Sequence, residues 1–213
     1  MSRFANRREA GRRLAEVLGD RAPENPVVLG LPRGGVPVAA EVAHALGAPL
    51  DVLVVRKLGL PRQPEVAMGA IGEEGAEVVN EDVVGLGRVS TSEFAAVEHR
   101  ERAELEARVR RFRGGRPPLP LVGRTVLIVD DGVATGATAR VACRVARARG
   151  AARIVLAVPV GAADALATIP EADEVVAVSA PRNFMAVGMH YVDFRQTDDA
   201  EVTRILDEAH RGA

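Results

Sequence analysis

The chain has 213 residues, 47% of them apolar, and sets 28 basic against 29 acidic side chains for a net charge of −1. That length suits one compact domain with a real core, and the charge balance offers neither a global basic field for nucleic acid nor an acidic tail. The basic opening, "MSRFANRREAGRR", leads into no apolar signal segment, and the longest apolar stretch, Ile154 to Ala163, is too short to span a bilayer and contains Pro159; a cytoplasmic protein with no membrane partner is expected.

In chain order, Phe4, Ala10, Leu14, Val17 and Leu18 recur at helical spacing among arginines and predict an amphipathic opening helix of about four turns, ended by Pro23 and Pro26. "VVLGLPRGGVPVAAEVAHAL" then reads as a strand (Val27 to Leu29), a glycine turn and a helix from about Val36 to Leu46, with "LDVLVV" as a second buried strand. Together these form a right-handed βαβ unit. Leu58 to Gly75, punctuated by Gly59, Pro61, Pro64, Gly69 and Gly72, reads as a flexible loop holding a hairpin around "IGEEGAEVV". Ser90 and Glu93 make a capping box that opens a helical insertion over about 90–113. In it Phe94, Val97, Leu105, Val109 and Phe112 share one stripe, while Glu98 with Arg102 and Glu104 with Arg108 decorate a solvated face.

After the linker "RGGRPPLPLVGR", the βαβ order returns: strand Val126 to Val129, glycine turn, helix from about Thr138 to Arg149, strand Ile154 to Val158. A further apolar run, Val175 to Val178, and a helix from about Asp199 to His210 complete the chain. The pattern predicts a single α/β domain with an open, mostly parallel sheet and helices on both faces, its core running over about 24–180. Of 28 basic residues only Lys57 is a lysine, which marks it as a place where a compact ammonium serves and a planar guanidinium does not. Cys143 falls within a helical pattern and reads as a buried thiol, and His44, His99, His190 and His210 show no metal-ligand spacing.

Ligands of open parallel sheets bind beyond the carboxyl ends of the strands, where both glycine turns lie. Ala134, Thr135, Gly136, Ala137 and Thr138 open a helix, so their N–H groups and hydroxyls can hold a phosphate, and Leu31, Pro32, Arg33, Gly34 and Gly35 can hold a second anion. Neither G-x-x-x-x-G-K-[ST] nor a strand-to-helix G-x-G-x-x-G occurs, which argues against a P-loop hydrolase or a dinucleotide enzyme. Yet Asp130 and Asp131 stand immediately before the phosphate-type turn. Paired carboxylates suit sugar hydroxyls, or a Mg²⁺ shared with a substrate phosphate. A phosphorylated ribose carrying a diphosphate meets all these requirements.

"VLIVDDGVATGAT", Val126 to Thr138, closely resembles the phosphoribosyl diphosphate (PRPP) binding motif of the type I phosphoribosyltransferases. The resemblance implies a Mg²⁺-dependent transfer of the phosphoribosyl group to a nitrogenous acceptor, with Asp130 and Asp131 on the ribose hydroxyls and metal and Ala134 to Thr138 on the 5′-phosphate. "GLPRGG" is similar to the family's diphosphate loop, Leu31 to Gly35, and "VVRKLG" to the segment whose basic residue, here Lys57, reaches the diphosphate. "PRNFMAVGMHYVDF" is similar to a base-binding hood, about 180–213, which implies Phe184 on the base and Asp193 near the metal; Tyr191 is a second aromatic there. Ala134 stands where the hypoxanthine branch has an acid, a lysine is missing before Pro181, and the step from Phe184 to Asp193 is longer, so the acceptor stays open. Gly132 stands where the family usually has a larger apolar residue. A homodimer is implied by the same resemblance. An alternative of another class is a PRPP-sensing regulator acting through a protein or nucleic-acid partner, with the arginine-rich Arg100 to Arg116 as its surface.

Overall fold

The computed structural model describes residues 3–19 and 23–211. Five parallel strands form the main sheet: β1 (Val27–Gly30), β2 (Leu50–Val52), β6 (Thr125–Val129), β7 (Arg153–Val160) and β8 (Glu174–Ser179). Their spatial order is β2-β1-β6-β7-β8. From β1 the chain runs outward to β2, and from β6 it runs outward the other way, so the β1/β6 boundary is the topological switch point of a doubly wound sheet. Register follows the apolar runs, with Val27 beside Val126 and Gly30 beside Val129.

Successive residues of these strands feed opposite faces, as the pleat requires. Val28, Leu127, Val129, Val155 and Ala157 join one core with helices α1 (Arg7–Leu18), α2 (Gly35–Leu46) and the C-terminal helix Asp199–Arg211. Val27, Val126, Ile128, Ile154 and Leu156 join another with α5 (Ala137–Ala148). Burial on both faces is why the strands read as unbroken apolar runs. The opening helix is shorter than its apolar spacing suggested: Phe4 lies outside it in a bridge to Tyr191, Val17 is 40% exposed, and Gly19 caps it. Pro23 therefore is not its terminator.

The stretch expected to be a loop, Leu58 to Gly75, is largely strand. β3 (Val55–Leu60), β4 (Gln63–Gly72) and β5 (Glu77–Val79) form a separate antiparallel sheet, with Lys57 opposite Ala70 and register shifts around Gly59. Its glycines and prolines mark an irregular, tightly packed hairpin, as bulged strands use them. A short helix that sequence patterning missed, α3 (Glu81–Leu86), leads to α4 (Thr91–Arg113). The Ser90/Glu93 capping box is present, Val97, Leu105 and Phe112 are buried, and Arg102 bonds Glu98 at 2.5 Å. Among the described residues Glu104 and Arg108 form no ion pair; Arg110 and Glu106 do, at 3.6 Å.

One arginine at the C-terminal end of α4 leaves the solvated face. Arg113 is buried and donates to both Asp51 oxygens at 2.8 and 3.0 Å, to the Val52 carbonyl at 2.8 Å, and to both oxygens of buried Glu73. Asp51 also accepts from the N–H groups of Val52 (2.7 Å) and Leu119 (3.1 Å). Burial opposes the guanidinium's charge, but the bonds to Glu73 and Asp51 outweigh it and raise the Arg113 pKa. This cluster ties α4, β2 and the turn after β4 together.

Candidate functional site

Two turns face one another at the switch point. The first, Leu31 to Gly35, leaves β1 and leans on the end of β6: Leu31 N–H donates to the Val129 carbonyl at 2.9 Å, and Gly35 N–H to the Leu31 carbonyl at 3.0 Å. Since Pro32 has no N–H, Arg33 and Gly34 keep the turn's uncommitted donors among the described residues. The peptide bond between Pro32 and Arg33 is cis. The Arg33 side chain, expected at the diphosphate, reaches Asp199 at 3.6 Å, a carboxylate it shares with Arg111.

The second turn follows Asp130 and Asp131. Gly136 caps α5 in the left-handed conformation (φ +77°), and Ala134, Thr135, Ala137 and Thr138 are exposed around it. Among the described residues no carboxylate closes this turn, and the Thr135 hydroxyl accepts from the Ala137 N–H at 3.4 Å. The turn keeps the form of an anion cradle at a helix N-terminus.

Asp130 accepts from the Asp131 N–H at 2.9 Å. Loss of hydration and then the neighbouring Asp131 charge push its pKa well up. Burial also raises Asp131, while the Arg7 cation pulls it down. Arg7 carries the partner that sequence reading missed: its Nε donates to Asp131 Oδ2 at 2.8 Å. Asn6 accepts from the Glu9 N–H at 3.0 Å and so starts α1 with Arg7 as its first residue. Residues 4 and 5 pair with the chain near Tyr191, whose buried hydroxyl donates to the Asp131 carbonyl at 2.6 Å. Burial raises the Tyr191 pKa, keeping that hydroxyl a donor.

Glycine at 34 is a packing requirement, because a Cβ there would fall 2.0 Å from Asp131 Oδ2 and 3.1 Å from Arg7 Nε. The unexpected Gly132 has a similar cause: a Cβ would meet Val187 Cγ1 at 2.6 Å, so Val187 supplies the apolar atoms that the motif lacks.

Lys57 is exposed on β3 and lines a cavity of about 790 Å³ with Arg56, Arg100, Glu101 and Thr138. The structure thus brings Lys57 to the same cavity as the end of the phosphate-type turn; the carboxylate pair does not line it. Phe184 is partly buried and stacks on His190 with centroids 5.3 Å apart, beside the small cluster of Phe4, Ala10, Val160 and Tyr191. Asp193, expected near the metal, accepts from the Arg195 guanidinium at 2.7 to 3.1 Å, and its pKa is lowered chiefly by that bond. Among the described residues no three His, Cys, Asp or Glu side chains converge on one point. A Mg²⁺ fits on narrower terms, held by one or two adjacent carboxylates and completed by substrate phosphates, which is the usual donor set for this hard ion. No helix among the described residues is long and apolar enough to cross a membrane.

A doubly wound sheet with a carboxylate pair and two helix-opening turns at its switch point defines a ligand-binding α/β domain. The chain belongs to the phosphoribosyl transferase domain family, whose match runs over residues 5–191. A Mycobacterium tuberculosis (strain H37Rv) protein whose name assigns it provisionally to the phosphoribosyl transferases, Rv0571c, is 56% identical over 212 residues, covering 99% of this chain and 48% of its own. The chain spans about half the length of the curated relatives it matches. Among solved structures, TT1426 from Thermus thermophilus is 46% identical with a TM-score of 0.88, over 97% of this chain and 98% of that one. AQ2163 from Aquifex aeolicus, 14% identical with a TM-score of 0.51 over 94% of this chain and 84% of its own, shares the fold alone.

Proposed function

We propose that this domain is a Mg²⁺-dependent phosphoribosyltransferase that displaces diphosphate from carbon 1 of PRPP with a nitrogenous acceptor. The observation that carries the reading is the junction at the switch point, where the Asp130–Asp131 pair lies between an open helix-capping turn and the Arg33–Gly34 donors. On this reading Ala134 to Thr138 hold the 5′-phosphate, and Asp130 and Asp131 accept from the ribose hydroxyls. Leu31 to Gly35 and Lys57 receive the diphosphate.

Cleavage of the bond from carbon 1 to diphosphate oxygen leaves positive charge on the ribose and negative charge on the leaving group. The chain's task is to neutralise the latter with aimed N–H groups and the Lys57 ammonium, while its two carboxylates sit near the former. Asp130 and Asp131 would hold a Mg²⁺, which would supply further charge neutralisation. The β3–β4 hairpin, whose exposed tip spans 61–66, is the cover that excludes water from the ribosyl cation. Phe184, backed by His190, offers its ring to the acceptor.

The test is release of diphosphate from PRPP with a panel of purines, pyrimidines and amines. Acceptor-dependent release that falls at least 100-fold in Asp131→Asn, with the thermal midpoint retained, is expected. Release by the variant at the wild-type rate would sink the assignment.

A further inference from the structure

Arg7 makes three contacts: its Nε donates to Asp131 Oδ2 at 2.8 Å, one terminal nitrogen donates to the Arg195 carbonyl at 2.6 Å, and its guanidinium carbon lies 4.0 Å over the Phe194 ring. Its Nε also borders the space that glycine keeps open at position 34. The side chain is only 11% exposed and that of Asp131 15%. A solvated ion pair of the kind common on arginine-rich helices would show none of this enclosure. The other end of Asp131 is fastened too, by the Tyr191 hydroxyl on its carbonyl.

We infer that Arg7 is a positioning residue for the ribose: it fixes one oxygen of Asp131 and leaves the other, Oδ1, as the acceptor for a sugar hydroxyl. This rests on the phosphoribosyltransferase reading above. A guanidinium suits the role because its planar fork bonds a carboxylate and a carbonyl at once while its face rests on an aromatic ring. It also places a positive charge beside two adjacent carboxylates that would otherwise face each other uncompensated. Since Arg7 opens α1, the N-terminal helix becomes part of the site, joined through Phe194 and Arg195 to the hood. Gly34 completes the arrangement. The turn proposed for diphosphate touches the same carboxylate oxygen that Arg7 holds, so the ribose and diphosphate subsites meet at one oriented side chain. Such orientation matters because displacements of about 1 Å in a reacting geometry cost on the order of 100-fold in rate.

The experiment compares three ligands by calorimetry, each with Mg²⁺: PRPP, ribose 5-phosphate and inorganic diphosphate. Arg7→Met, which keeps most of the stem over Phe194, should weaken PRPP and ribose 5-phosphate at least tenfold and diphosphate less than twofold. Arg7→Lys keeps the charge without the fork and should fall between methionine and wild type. Phe194→Leu removes the seat of the guanidinium without altering the carboxylate; it should show the same ligand order at threefold or more, and serves if Arg7→Met does not fold. PRPP affinity unchanged in Arg7→Met, equal losses for all three ligands, or full recovery with lysine would each overturn the inference. A folded wild-type protein that fails to bind PRPP would overturn the reading beneath it as well, whereas wild-type binding with an unaffected Arg7→Met would overturn this inference alone.

Discussion

Arg113→Met is the perturbation whose magnitude the structure defines most closely. The guanidinium bonds two carboxylates and a carbonyl in an enclosure where Arg113, Asp51 and Glu73 side chains are 3%, 9% and 6% exposed. Methionine fills similar volume and removes every donor. Asp51 would keep the Val52 and Leu119 N–H groups, but Glu73 would keep only the Val54 N–H at 3.5 Å. Removing one partner of a buried pair costs about 3–5 kcal/mol because the remaining charge stays uncompensated. At about 2–4 °C per kcal/mol for a domain of this size, the thermal midpoint should fall by roughly 6–20 °C. Melting curves and urea titrations of Arg113→Met, Glu73→Gln and the double variant measure it. The double variant should recover part of the loss, since the two sites are in contact and their effects are not additive. A drop below about 1 kcal/mol, the scale of an exposed pair, would refute the claim that this cluster is buried and structural.

Three further outcomes follow from the site and core. Asp130 and Asp131 have folded pKa values above their unfolded ones, burial being the largest cause for each. Stability linked to them is then complete below the unfolded value and lost as pH rises through the folded one, so Asp130→Asn should match wild type below about pH 4 and melt higher at pH 7; a lower midpoint at pH 7 would contradict this. Gly34→Ala places a Cβ 2.0 Å from Asp131 Oδ2 and should weaken PRPP binding at least tenfold, or about 1.4 kcal/mol, in a calorimetric titration. Unchanged affinity would show that the carboxylate is not held there. Burial pushes the Cys143 thiol up to about 12, so a thiol reagent at mildly alkaline pH should label the protein only after denaturation, and prompt labelling of the native state would contradict that burial.

The two βαβ units were legible because each apolar run ends at a glycine turn and each is buried on both faces, leaving no polar alternation to confuse the period. The carboxylate pair and both turns were legible for a local reason: their chemistry is written in consecutive residues. What failed was long-range. β4, "QPEVAMGAIG", carries two glycines and a proline where alternation should be, and only its pairing with β3 and β5 makes it a strand. Arg7 lies among five arginines within Arg3 to Arg13, and its partner is 124 positions away; no periodicity distinguishes it from its solvated neighbours. Arg113 was hidden in the same way, since the end of a charged helix carries no local sign that it enters the core.

Calorimetric titration of the purified protein with PRPP, with and without Mg²⁺ and with Asp131→Asn as control, tests the central claim most directly. The account predicts binding that strengthens with Mg²⁺ and is abolished by the substitution. A well-folded sample that binds no PRPP under either condition, or whose Asp131→Asn variant binds it equally well, would contradict the assignment of this site.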